Sequence, residues 1–168
     1  KRAAADWVLE HEGRFPNFTP APSKGIQVAV VGSGPAGLTC AHYLALKGYR
    51  VTVFEALPVA GGMLAAGIPE YRLPRNVLEA EIRSITELGV EIRTGVRVGR
   101  DVTMEDLKRQ GYRAIFLAIG AHGSQSLGVE GEDLHGVHAG VDFLREVNLG
   151  RAPDLAGKTV VVVGGGNV

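Results

Sequence analysis

From Ile26 onward, short apolar runs alternate with longer stretches of helical spacing, and glycine or a charged residue bounds each of them. IQVAVV predicts a strand, PAGLTCAHYLALKG a helix and YRVTVFE a second strand, which together make a βαβ unit. Val77, Leu78, Ile82, Ile85 and Leu88 recur at helical spacing, so a helix is expected over about 75–88 with Gly89 closing it. Short strands are expected at 90–93 and 96–98. Thr103 and Asp106 stand at capping-box spacing for a brief helix ending near Gly111, after which RAIFLAIG reads as a buried parallel strand. A helix near 141–147 leads to KTVVVVGGGNV, a strand running into glycines. Ahead of the alternating unit, Ala5, Val8 and Leu9 share one face of a short helix, residues 2–12, that Gly13 would cap. Residues 14–25 carry three prolines and no apolar period, as an extended linker lying on a domain surface would.

The chain has 168 residues, enough for one domain or for one domain and part of another. Apolar residues at 45% and charged residues at 21% exclude a disordered chain. Glycine departs from the average: 24 residues, about twice the ordinary share, ask for many tight turns or close backbone approaches. Lys+Arg 18 balances Asp+Glu 18, so no net charge draws the chain toward nucleic acid or an anionic membrane. The single cysteine, Cys40, excludes an intrachain disulfide and a thiolate cluster, and reads as a small core residue. No apolar stretch reaches the length of a membrane span, and the opening residues mix charges of both signs, unlike a signal peptide; a cytoplasmic location is expected. His135 and His138 lack a third ligand nearby and read as loop residues, so no metal site is expected.

Chemistry concentrates in VVGSGPAG, where Gly32, Gly34 and Gly37 stand in GxGxxG spacing between an apolar strand and an amphipathic helix. Gly32 permits the turn, Gly34 lets the backbone approach a pyrophosphate, and Gly37 lets the helix pack on the strand, while the helix N-terminus offers N–H groups to the anion. Pro35 fits the first helical turn, where its missing N–H costs nothing. Glu55 ends the second strand about 20 residues further on, where a carboxylate accepts hydrogen bonds from ribose hydroxyls and disfavours a 2′-phosphate. FAD or NAD is therefore expected at this loop. In the following PVAGGMLAAGIPEYRLP, the glycines would keep backbone near a ligand, and Arg72 offers a guanidinium to a pyrophosphate or a flavin edge.

The runs VVGSGPAGL, FEALPVAGGML, GIPEYRLP, FLAIGAHGSQSLGVEGED and VVVVGGGNV closely resemble the glutamate synthase small-subunit (beta subunit) type of NAD(P)H-dependent FAD oxidoreductases. The same flavoprotein module occurs in dihydropyrimidine dehydrogenase and in bifurcating ferredoxin:NADP oxidoreductases. The resemblance implies FAD along Gly32, Ser33, Gly34, Pro35, Ala36 and Gly37, with its adenosine ribose on Glu55. It implies Gly62 and Met63 beside the flavin, Arg72 on the cofactor, backbone near Val98 at the adenine, and Gly120 and Ala121 in a return loop. Ile119 stands where many relatives have threonine, so that loop is expected to act through backbone. Gly164 and Gly166 resemble the first two glycines of an NAD(P)H phosphate loop.

The fold class this implies is α/β: a Rossmann-like FAD-binding domain of the two-dinucleotide-binding-domain flavoproteins, truncated at the start of a second Rossmann domain. Residues 1–25 would be a helix and linker following an upstream iron–sulfur domain, 26–125 the FAD-binding part, and 126–168 the connection with the first strand and glycine loop of an NAD(P)H-binding domain. The implied function is transfer of hydride from NAD(P)H to FAD and of electrons onward to [4Fe–4S] clusters, held upstream of Lys1, and to a partner such as a glutamate synthase large subunit. No catalytic side chain is expected, because the cofactor carries the redox chemistry. The alternatives are a dinucleotide-binding or interaction module without turnover, which cofactor reduction by NAD(P)H separates from the enzyme, and the electron-input subunit of a different redox complex, which the FAD module does not distinguish.

Overall fold

The computed structural model describes residues 2–13 and 18–165. Helix α1 spans Arg2–Glu12 and ends as expected on Gly13, whose φ is +67° and whose N–H donates to the Leu9 carbonyl at 3.0 Å. Residues 18–25 run extended along the end of the next helix, with Ala21 N–H donating to Leu46 O and Lys24 N–H to Gly48 O, both at 2.9 Å. The remainder of the expected linker, 14–17, lies outside the described residues.

The alternating unit folds as β1 Gln27–Val31, α2 Pro35–Leu46, β2 Arg50–Phe54, α3 Met63–Ala66, α4 Arg75–Thr86, β3 Glu91–Arg93, α5 Met104–Arg109, β4 Tyr112–Leu117 and α6 Gly140–Asn148. The four strands form one parallel sheet in the order β3-β2-β1-β4. Successive strands step one way from β1 to β3, and β4 then returns to the other side of β1. The crevice between the carboxyl ends of β1 and β4 is therefore a topological switch point, where sheets of this kind bind ligands.

Alternation along β1 sends its side chains to two cores. Val30 packs with Ala41, Ala45, Val51, Val53 and Val90 beneath α2 and α4, whereas Ala29 packs with Phe54, Leu107 and Tyr112 beneath α5. Because both faces are covered, β1 and β2 are nearly continuous apolar runs, as parallel sheets require. Val30 and Val53 are completely buried, each contributing about 1.5–3 kcal/mol relative to exposure. The Thr103 capping box forms with both reciprocal hydrogen bonds, and Gly111 follows α5 with φ +94°.

Three expectations are corrected. Residues 96–98 form no strand: Val98 makes only an isolated bridge with Val102, and Val96, Val98 and Val102 serve as packing for the second core. β4 is parallel, as read, but is not buried along its length, because it is the sheet edge and Phe116 and Leu117 are exposed. Over 158–163 no strand forms among the described residues, and Val160 to Val163 are exposed, because no neighbouring strand pairs with them. Among the described residues no helix is long and apolar enough to cross a membrane.

Candidate dinucleotide site

The glycine loop between β1 and α2 is held from behind at three points. Gly32 has φ +103°, donates its N–H to Phe54 O at 2.8 Å, and lies so near the end of β4 that a Cβ would stand 2.3 Å from the Ala118 carbonyl oxygen. At Gly37 a Cβ would stand 1.9 Å from the Gly32 carbonyl oxygen, so α2 rests directly on the loop. At Gly62, with φ +55°, a Cβ would come within 2.8 Å of the Gly34 Cα.

Gly34 differs from all three. Its backbone is extended, with φ −69° and ψ −178°, and a Cβ there would meet nothing within 4 Å. Neither conformation nor protein packing requires glycine at this place, so the missing side chain leaves space in front of α2. That helix has 12 residues, begins with Pro35 and has no side chain capping its N-terminus. Its first N–H groups and the positive end of its dipole therefore face the space that Gly34 leaves open, as binding of a pyrophosphate needs. On this ground the residues present fit a dinucleotide.

Glu55 follows β2 and is 5% exposed. Its Oε2 accepts from Ser33 N–H at 2.9 Å and from Ser33 Oγ at 2.5 Å, and its Oε1 accepts from Leu57 N–H at 2.8 Å. The Ser33 hydroxyl in turn accepts from Gly61 N–H at 3.0 Å. Ser33 itself is fully buried, so its side chain supports the loop from the protein side. Gly95 and Val96 donate to the carbonyls of Leu57 and Glu55, each at 2.9 Å, which brings the segment entering Val98 alongside the acid.

Met63 opens the short helix α3, which the sequence reading takes as loop, and borders a cleft of about 300 Å³ with Gly67, Ile68, Pro69, Arg72, Val141 and Leu144. Arg72 is exposed at this cleft, its guanidinium carbon 6.0 Å from the centre of the Tyr71 ring. Sequence reasoning misses the pair that holds the cleft together. Arg75 donates to the carbonyls of Leu64 and Ile68, both at 3.0 Å, and to Asn148 Oδ1 at 2.8 Å, while Asn148 Nδ2 donates to Ala66 O at 2.9 Å. A cation with three acceptors is a strong local tie. Asn148→Ala removes two of these hydrogen bonds and is expected to lower stability by about 1–2 kcal/mol, read from chemical denaturation.

Gly120 and Ala121 are exposed just past β4, two and three residues beyond the carbonyl that abuts Gly32. Gly120 has φ +66°, so the chain turns there on a residue suited to it. Gly164 is exposed with φ +106°, away from any assembled phosphate loop among the described residues, and Gly166 lies outside them. Cys40 is half-buried in α2 against the first core, and burial raises its thiol above the ordinary range, which disfavours the reactive thiolate. His135 and His138 are exposed loop residues.

A parallel sheet with a glycine turn at its switch point, an uncapped helix N-terminus and an acid closing β2 define a dinucleotide-binding α/β domain. Residues 26–168 match the pyridine nucleotide-disulphide oxidoreductase family, and the chain belongs to it. It is 58% identical over 152 residues to the NADP(+)-dependent formate dehydrogenase subunit beta of Moorella thermoacetica, covering 89% of this chain and 21% of that protein. It is 43% identical over 150 residues to the glutamate synthase [NADPH] small chain of Halomonas elongata, covering 84% of this chain and 32% of the relative. The solved structure of Mycobacterium tuberculosis FprA in complex with NADPH superposes with a TM-score of 0.64 at 28% identity, over 76% of this chain and 29% of that one. The chain thus spans between a fifth and a third of the length of these relatives. The resemblance to the glutamate synthase small-subunit type, read from the motifs, is borne out.

Proposed function

We propose that this chain is the FAD-binding part of an NAD(P)H-dependent oxidoreductase subunit, which passes electrons to iron–sulfur centres and a catalytic partner subunit. The observation that carries the reading is the open space at Gly34 before the uncapped N-terminus of α2. There the N–H groups following Pro35 hold a pyrophosphate, Ala36 and Gly37 among them, and the missing Gly34 side chain admits its oxygens. Glu55 accepts from the adenosine ribose, and the backbone near Val98 runs past the adenine. Gly62 and Met63 stand on the flavin side, with Arg72 across the cleft and the Gly120–Ala121 backbone along the return path.

FAD, when bound, accepts a hydride from a reduced nicotinamide and releases electrons one at a time. The chain's own task is to bind and orient it, and no side chain is assigned as acid or base. The relatives' names, NADP(+)-dependent in one case and [NADPH] in another, favour NADPH as the donor, with Gly164 and Gly166 opening its phosphate loop. Both relatives are named as one chain of a larger assembly, which supports a partner subunit as electron acceptor. A [4Fe–4S] cluster in sequence preceding Lys1 provides the route between them.

Anaerobic titration of the complete native polypeptide tests the reading. NADPH is expected to bleach the visible flavin band, with NADH less effective. A flavin band that neither nucleotide changes would contradict turnover and leave a module that binds without reacting.

A further inference from the structure

Ser33, in the middle of the glycine turn, has a hydroxyl with only one possible orientation. The Glu55 carboxylate only accepts and the Gly61 N–H only donates, so the hydroxyl hydrogen points to Glu55 and a hydroxyl lone pair to Gly61. Ser33 N–H adds a second bond to the same carboxylate oxygen. Both lone pairs of Oε2 are consequently filled by one buried residue, and one of the two on Oε1 is filled by Leu57 N–H. Of four acceptor positions on Glu55, a single one remains.

We infer that Ser33 is a positioning residue that takes one oxygen of Glu55 out of the ligand's reach, so that the acid holds the adenosine ribose through one hydroxyl and not two. The inference rests on the FAD reading above. It makes Glu55 a monodentate contact whose orientation is fixed by protein donors before the nucleotide arrives, which lowers the ordering cost of binding. The same hydroxyl ties the 58–62 loop to the turn through Gly61, so the acid and the loop beside Gly34 are set together.

The test uses the complete native polypeptide, stripped of cofactor, with FAD and two analogues that lack the adenosine 2′- or 3′-hydroxyl. One analogue is expected to bind about tenfold or more weakly, and the other within about twofold of FAD, since a single charge-assisted hydrogen bond is lost. Ser33→Ala removes the inward-facing hydroxyl that holds Oε2, which leaves the carboxylate free to turn that oxygen toward the ribose, so in that variant the second analogue is also expected to lose affinity relative to FAD. Equal losses for both analogues in the unaltered protein, or none for either, would overturn the inference, and this arm needs no variant to fold. Failure of the unaltered protein to bind FAD at all would instead sink the functional reading on which the inference rests.

Discussion

Replacing Glu55 with alanine is expected to cut the FAD affinity of the complete protein by about 10- to 100-fold, the loss of a hydrogen bond to a charged acceptor being worth about 1.5–3 kcal/mol. The fold weakens with it. Ser33 N–H, Ser33 Oγ and Leu57 N–H all donate to this carboxylate, and Ser33 is fully buried, so its two donors are stranded where water does not replace the acceptor. That adds about 2–4 kcal/mol of destabilisation if each stranded donor costs the usual 1–3 kcal/mol and local relaxation recovers part of it. Glu55→Gln is expected to recover most of the stability but not all of it, because a carboxamide oxygen turned toward Ser33 accepts from both of its donors while the N–H₂ group is left facing the Leu57 N–H. Thermal denaturation of the stripped protein and a fluorescence titration with FAD separate the two effects. A Gln variant equal to the natural protein in both would contradict the donor arrangement.

The second large effect is a contrast between two glycines of one loop. Gly37→Ala places a methyl 1.9 Å from the Gly32 carbonyl oxygen and 3.3 Å from a Val30 methyl, on backbone and core that cannot move aside. The helix must lift from the sheet, at a cost of about 3 kcal/mol or more. Gly34→Ala meets nothing within 4 Å and needs no unusual backbone, so the fold is expected to keep its stability within about 0.5 kcal/mol. Its methyl nevertheless fills the open space that we propose takes the pyrophosphate, and FAD affinity is expected to fall at least tenfold. Melting curves of both variants, with and without FAD, read this directly. A Gly34→Ala protein that binds FAD normally would remove the chief support for the site.

What the sequence makes legible here is local. The apolar runs of β1 and β2, the spacing of Leu78, Ile82 and Ile85 in α4, and Thr103 with Asp106 each depend on neighbours a few positions apart, and the structure forms all of them. The GxGxxG turn and Glu55 are also readable, because strand, turn, helix and strand fix where the acid arrives. Burial that depends on distant chain is not readable in this way. Phe116 and Leu117 look like core residues until the strand order places β4 at an edge, and Val160 to Val163 look like a strand that no described neighbour pairs. Val96 and Val98 are apolar because they cover the second core, not because they extend the sheet. The Arg75–Asn148 tie joins residues 73 positions apart, and neither residue type nor spacing announces it. Ser33 is read as a cofactor contact from its place in the motif, and only the geometry shows its hydroxyl turned inward to Glu55 and Gly61.

We propose above that the turn from Gly32 to Gly37, together with Glu55, holds FAD. Purification of the complete polypeptide, followed by denaturation and chromatographic identification of the released nucleotide, tests it most directly. FAD is expected, in an amount that falls when Gly34 is replaced by alanine. Release of NADP or of no nucleotide, or an FAD content unchanged by Gly34→Ala, would contradict it.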